Sequence, residues 1–204
     1  MTVVILLIII IFYIIIKQNM ELFTNVRIKS EYDKKSYRVV GGYHDKEIAA
    51  DKMAQLHEFI TQFLKYSHQK FIINGSDGEE SDFIGRIIKN YRPANVFENE
   101  PMRGEDTSYV SNKGDKFGIC LRSKDANAGE FHDYNLLQFV ILHELTHLGC
   151  KDYGHNHNFY KWFKFILSIA VSSGLYKPVD YKKYPVRYCG LDVTSNPFCQ
   201  NNKC

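Results

Sequence analysis

The stretch DYNLLQFVILHELTHLG, residues 133–149, constrains this chain more than any other. From Leu136 to Leu148 its apolar residues fall on nearly every side of a 3.6-residue period, so a helix formed there has no face to give to solvent. It must run through the middle of the fold. Asn135 with Gln138 three residues on fits a capping pair at its start, and Gly149 is expected to end it. Inside this apolar helix stand two imidazoles and a carboxylate, His143, Glu144 and His147, each costly to bury without a partner.

The spacing suggests what the partner is. On a helix, residues four apart project from nearly the same side about one turn apart, so His143 and His147 can reach one cation. Glu144 points off that stripe but can reach a water beside the ion, the HExxH arrangement of a zinc-dependent hydrolase with a carboxylate as general base. Zinc is the expected cofactor.

Catalytic zinc takes three protein ligands and leaves one position open. No glutamate occurs from Leu145 to Cys204, and the pattern HExxHxxGxxH is absent. Asp152, Asp180 and Asp192 stand in no recognised context. His155 and His157 remain, both just ahead of a helix that should begin near residues 156–158 with Phe159, Trp162, Phe163, Ile166 and Ala170 on one face. His155 is favoured because it follows the turn glycine Gly154 directly; His157 stays open. Cys150 would share the histidine stripe only if the helix ran past Gly149, and a buried thiol is the plainer reading.

The amino terminus poses a separate question. Val3 to Ile16 carry no charge, glycine or proline, and with Met1 and Thr2 reach the lower limit for a helix that crosses a bilayer. Residues 1–19 are therefore expected to be a membrane anchor touching lipid through residues 3–16, with residues 20–204 as one domain. Lys17, Arg27 and Lys29 follow the run, which places the rest of a single-pass protein on the cytoplasmic or virion-interior side.

Between anchor and histidine helix, FTNVRIKSEYDKKSYRVV reads as a strand pair or a strand and a linker, stopped by Gly41-Gly42. A helix capped by Asp45 follows, with Ala49, Met53, Leu56, Ile60, Phe63 and Leu64 on one face. FIINGSDGEE reads as a short strand and turn, and Ser81 as the cap of a helix closed by Arg92-Pro93. TSYVSNKGDKFGICLR reads as a hairpin turning at residues 112–115, with Phe117, Ile119 and Leu121 as its core face.

The net charge of +3 is small and dispersed, which argues against a nucleic-acid partner. Five cysteines without a CxxC indicate neither a zinc ribbon nor a full disulfide framework. Cys189, Cys199 and Cys204 are near enough in sequence for one bridge, although a reducing compartment would leave them as thiols.

HELTH followed by GHNHNF resembles the WLM and SprT-like metallopeptidases, matching at His143, Glu144, His147, Gly154, His155 and Phe159. NKGDKFGICLRSK, FYKWFKFIL and YCGLDV are similar to segments of WLM-like metallopeptidases from large DNA viruses and some of their hosts, over about residues 40–195. The resemblance implies His155 as third ligand and an α+β zincin-like core, a small twisted sheet above the active helix. It also implies a protein or peptide substrate along an edge strand, for which Phe117 to Arg122 is the candidate. No ubiquitin-like-modifier or DNA-binding tail accompanies the match, so crosslink repair is not implied.

The expected protein is thus a membrane-anchored zinc peptidase, with Glu144 as base and Tyr153, Tyr160 and Tyr188 as candidate oxyanion donors. The rival is a structural component of a virion or membrane complex that keeps the fold with little turnover, its partners being virion proteins. Retention of Glu144 speaks against that rival, because a purely structural site needs ligands but no base. A non-peptidase metal hydrolase is a third reading, since the motif itself does not specify an amide.

Overall fold

A computed structural model describes residues 5–14, 24–75, 77–99, 107–124, 129–199 and 204. Helix α1 covers 5–14, and its side chains are exposed. At 1.5 Å per residue its ten residues extend about 15 Å, half of the roughly 30 Å of a hydrocarbon core. Among the described residues no helix is long and apolar enough to cross a membrane. This corrects the expected transmembrane helix, and with it the single-pass localisation. The rest of the expected anchor, residues 1–4 and 15–19, lies outside the described residues.

Strands β1 (Asn25–Lys29) and β2 (Ser36–Val40) pair antiparallel, the first of the two arrangements the sequence allowed. Helix α2 (Lys46–His68) buries Ala49, Met53, Leu56, Ile60 and Phe63. Asp45 precedes it but makes no side-chain cap; its carboxylate turns instead to Arg122. The expected strand at FIIN is instead a π-helical extension of α2, Gln69–Ile73, in which Phe71 meets Phe165 at 5.2 Å between ring centroids. Tertiary packing overrides the local β preference there. Helix α3 (Glu79–Asn90) starts ahead of Ser81, with Glu79, Glu80 and Asp82 in its first turn, where acidic groups complement the helix dipole.

The main sheet has strand order β3 (Val96–Glu98), β5 (Lys116–Ile119), β4 (Tyr109–Ser111). The β4–β5 hairpin matches expectation, with Gly114 at φ +109° in its turn. The exposed edge does not. β5 is the central strand, parallel to β3 and antiparallel to β4, so it is paired on both sides and β3 and β4 are the edge strands. Phe117 to Arg122 are accordingly all buried, polar members included.

Helix α4 (Tyr134–Gly149) runs through the centre, touched by α2, α3, α5 (His157–Ser172) and β4. Twelve of its residues are buried, as its all-round apolarity demands. Its cap is Asp133, accepting from the amides of Asn135 and Leu136, while Asn135 holds the chain after α5 through Lys177. Gly149 belongs to the helix rather than ending it in a left-handed turn. A Cβ there would stand 2.5 Å from the Phe83 ring and 2.8 Å from Ile87, so glycine lets α3 pack against the last turn of α4. A short hairpin of β6 (Val186–Tyr188) and β7 (Leu191–Val193) follows α5. A disulfide joins Cys120, at the end of β5, to Cys189 in its turn; Cys199 pairs with Cys204, and Cys150 is a buried free thiol.

Candidate metal centre

Helix spacing brings His143 and His147 to one side of α4, and the turn after α4 brings a third imidazole to them. Cys150 leaves the helix in extended conformation, Gly154 takes φ +76°, and Asn156 caps α5 by accepting from the amide of Phe159. Between these fixed points His155 is folded back onto α4. Its Nε2 lies 2.9 Å from that of His143 and 3.1 Å from that of His147, whose own Nε2 atoms are 3.3 Å apart. His157 is exposed and lies outside this cluster.

The three nitrogens fit a metal. Donors about 2.0–2.1 Å from a tetrahedral centre stand roughly 3.3–3.4 Å from one another, close to the triangle observed. The ring of Phe159, 4.5–4.9 Å from all three imidazole centroids, closes the site from behind. Burial, reinforced by the neighbouring imidazoles, depresses His143 to about 3 and His147 to about 4. Burial also lowers His155. Each imidazole is thereby kept neutral near pH 7, with a lone pair free for a cation.

Glu144 is 5% exposed and pushed up to about 8 by burial, against which the amide of Val110 on the edge strand β4 donates to its carboxylate. Neither Val110 nor Lys113 is marked by any motif in the sequence. Lys113 sits in the β4–β5 turn with its Nζ 2.6 Å from the carbonyl of Cys150, 3.2 Å from that of Asp152 and 3.4 Å from that of His147. It also lies 4.6 Å from the centre of the Tyr153 ring. Lys113 thus ties the last turn of α4 to the loop that carries His155. Arg86 and Asn90 of α3 take the neighbouring carbonyls of Gly149 and Leu148. Together they satisfy acceptors that a helix end leaves open.

The histidines and Glu144 line a cleft of about 500 Å³ between β4, α4 and the β6–β7 hairpin. Tyr153, Tyr160 and Tyr188 all border it. Tyr153 and Tyr160 are exposed, whereas the buried Tyr188 donates to the carbonyl of Cys120 and shares a hydrogen bond with Ser108. The proton of Tyr188 is therefore already committed in this arrangement. A second donor group, Cys120, His132 and Cys189, is also assembled, but its two sulfurs are joined to each other.

An α+β protein with an imidazole triad on an HExxH helix has relatives among viral proteins. The chain is 32% identical over 169 residues to uncharacterized protein R325 of Acanthamoeba polyphaga mimivirus, covering 81% of each chain, and it belongs to the same family. It is also similar to uncharacterized protein 042R of Invertebrate iridescent virus 3, 37% identical over 97 residues, 48% of this chain and 58% of that one. Uncharacterized protein 136R of Invertebrate iridescent virus 6 is 34% identical over 103 residues, 50% of this chain and 56% of that one. No protein-family model matches the chain, and no solved structure does. The expected zincin-like core is corrected accordingly: the α+β class holds, but the strands form three separate small sheets, of which the largest has three strands of three or four residues.

Proposed function

We propose that the protein is a zinc-dependent hydrolase that cleaves peptide bonds. The observation that carries this reading is the convergence of three neutral imidazole nitrogens, 2.9–3.3 Å apart, beside a buried carboxylate at the edge of an open cleft. A structural centre needs only ligands, whereas Glu144 holds a costly buried position without being one.

His143, His147 and His155 would hold the ion. Bound zinc supplies Lewis acidity, acidifying water and polarising a carbonyl, and its charge draws the neighbouring carboxyl back to the carboxylate form. Glu144 then takes a proton from the attacking water and returns it to the leaving amine. Val110 fixes the carboxylate from the edge strand through its amide. Phe159 and Phe163 keep water from the back of the imidazoles. The resemblance of HELTH and GHNHNF to WLM and SprT-like metallopeptidases favours an amide substrate over other carbonyl compounds.

The test is metal analysis of the purified chain followed by cleavage of a broad peptide library with and without chelator. Stoichiometric zinc, with cleavage abolished by chelator and in Glu144→Gln but zinc retained in that variant, is the expected outcome. Bound zinc with no cleavage of any peptide would return the protein to the structural reading.

A further inference from the structure

A second cavity, of about 200 Å³, lies between the β1–β2 ladder and α2. None of its lining overlaps the histidine cleft. Its floor is apolar, formed by Met53, Leu56 and Ile60, and its wall carries Arg27, Lys35 and Arg38 with no carboxylate among the lining residues. The register of the ladder sets Arg27 directly opposite Arg38. Like charges in that relation repel, and neither arginine has a carboxylate partner among the described residues. Arg38 gives one terminal nitrogen to the carbonyl of Ala94 and lies over the Phe97 ring, but its Nε is buried without an acceptor. Leaving a charged donor buried and unpaired is expensive. Lys35 is engaged with Asp33, at 3.5 Å, outside the cavity wall.

We propose that this cavity binds a small amphiphilic carboxylate. Two arginines paired across the ladder on the cavity wall and an orphan Nε on Arg38 call for an anion with paired acceptor oxygens, which a carboxylate presents to an arginine fork. The apolar floor calls for a ring or short hydrocarbon body behind that head. The volume suits it, since an aliphatic-lined cavity of about 150 Å³ admits benzene. The site is independent of the metal reading, and loss of zinc from the histidine cluster leaves it intact.

The probe is 4-phenylbutyrate, titrated into the full chain by calorimetry and by amide chemical shifts, with uncharged 4-phenylbutyramide as its counterpart. Saturable binding of the acid is expected, roughly tenfold or more weaker for the amide and for Arg38→Gln. Ser36→Trp, at an exposed strand position on the cavity mouth, should abolish it and serves if the arginine variant folds poorly. No saturable binding by the wild-type chain overturns the proposal. So does equal affinity for acid and amide, or wild-type affinity in Ser36→Trp.

Discussion

Around Arg122 every charge meets its opposite; around His143 like groups face one another. The Arg122 side chain is fully buried, with Glu98 at 2.9 Å, Asp45 at 2.8 Å, the carbonyl of Gly129 at 3.0 Å, and the rings of Tyr43 and Phe131 on either side. Glu98 spends its second oxygen on the amide of Val40. In charge that cluster is complete within the chain, although Nη2 of Arg122 is buried without an acceptor. The imidazoles of His143, His147 and His155 converge as closely, yet no counter-charge is supplied to them. One cluster ties β2, β3 and the start of α2 together; the other is, on the proposed reading, the receptacle for an ion. The first is fully buried and its charges offset one another, whereas His143 and His147 are half-buried, His155 is exposed, and all three are neutral donors.

The largest effect should come from the carboxylate beside the receptacle. Glu144→Gln is expected to lower peptide turnover by about 10²–10⁴-fold while zinc content and folding stay as in the wild type, read by cleavage rate and metal analysis. Turnover unchanged in that variant would remove Glu144 from the chemistry. Next is the complete cluster: Glu98→Ala strands a buried guanidinium and should cost about 3–5 kcal/mol in denaturant unfolding, with zinc giving no compensation. The triad should behave in the reverse manner. His155→Ala changes the stability of the metal-free chain little, but removes the stabilisation by zinc, about 2.7 kcal/mol at a hundred times the dissociation constant. If His155→Ala destabilised the metal-free chain as much as Glu98→Ala does, the contrast between the clusters would fail.

A smaller effect is expected at Lys113. Lys113→Met frees the carbonyls at the end of α4 and loosens the loop of His155, so zinc affinity in a chelator competition should fall about 10–100-fold, with partial recovery in Lys113→Arg. The smallest is a pH dependence of the metal-free chain. His143 and His147 are held below the ordinary imidazole value of 6.5, so their contribution to stability is full above that pH and is lost as pH falls toward about 3 to 4. Glu98 is shifted upward by burial, which outweighs Arg122, so its contribution runs the other way, full at low pH and lost as pH rises through its folded value. Urea midpoints should show a flatter acid limb in His143→Asn and a smaller fall with rising pH in Glu98→Gln.

Much of the receptacle was legible because its logic is local. A four-residue helical spacing places His143 and His147, and a turn glycine next to His155 limits where that ring can go. The hairpin at residues 112–115 and the buried face of α5 were legible for the same reason. What escaped depends on partners distant in sequence. Arg122 reads as the exposed member of an alternating strand until β3 brings Glu98 to it, 24 residues earlier. Gly149 reads as a helix stop, whereas its small size answers to Phe83 on α3. Lys113 carries no signal except its place in a turn, because the carbonyls it holds lie 34 to 39 residues away. FIIN reads as a strand because its residues favour one, and only the packing of Phe71 on α5 makes it helical. The amino-terminal run was long enough on paper, but among the described residues no helix is long and apolar enough to cross a membrane.

The bridge from Cys120 to Cys189 spans 69 positions of sequence and encloses α4, the His155 turn and α5 in one covalent ring. A protease that cut within the exposed stretch 151–154 would therefore separate His147 from His155 along the backbone without releasing either fragment. On a gel the nicked chain would migrate as one species until a thiol reductant opened the ring and two pieces parted.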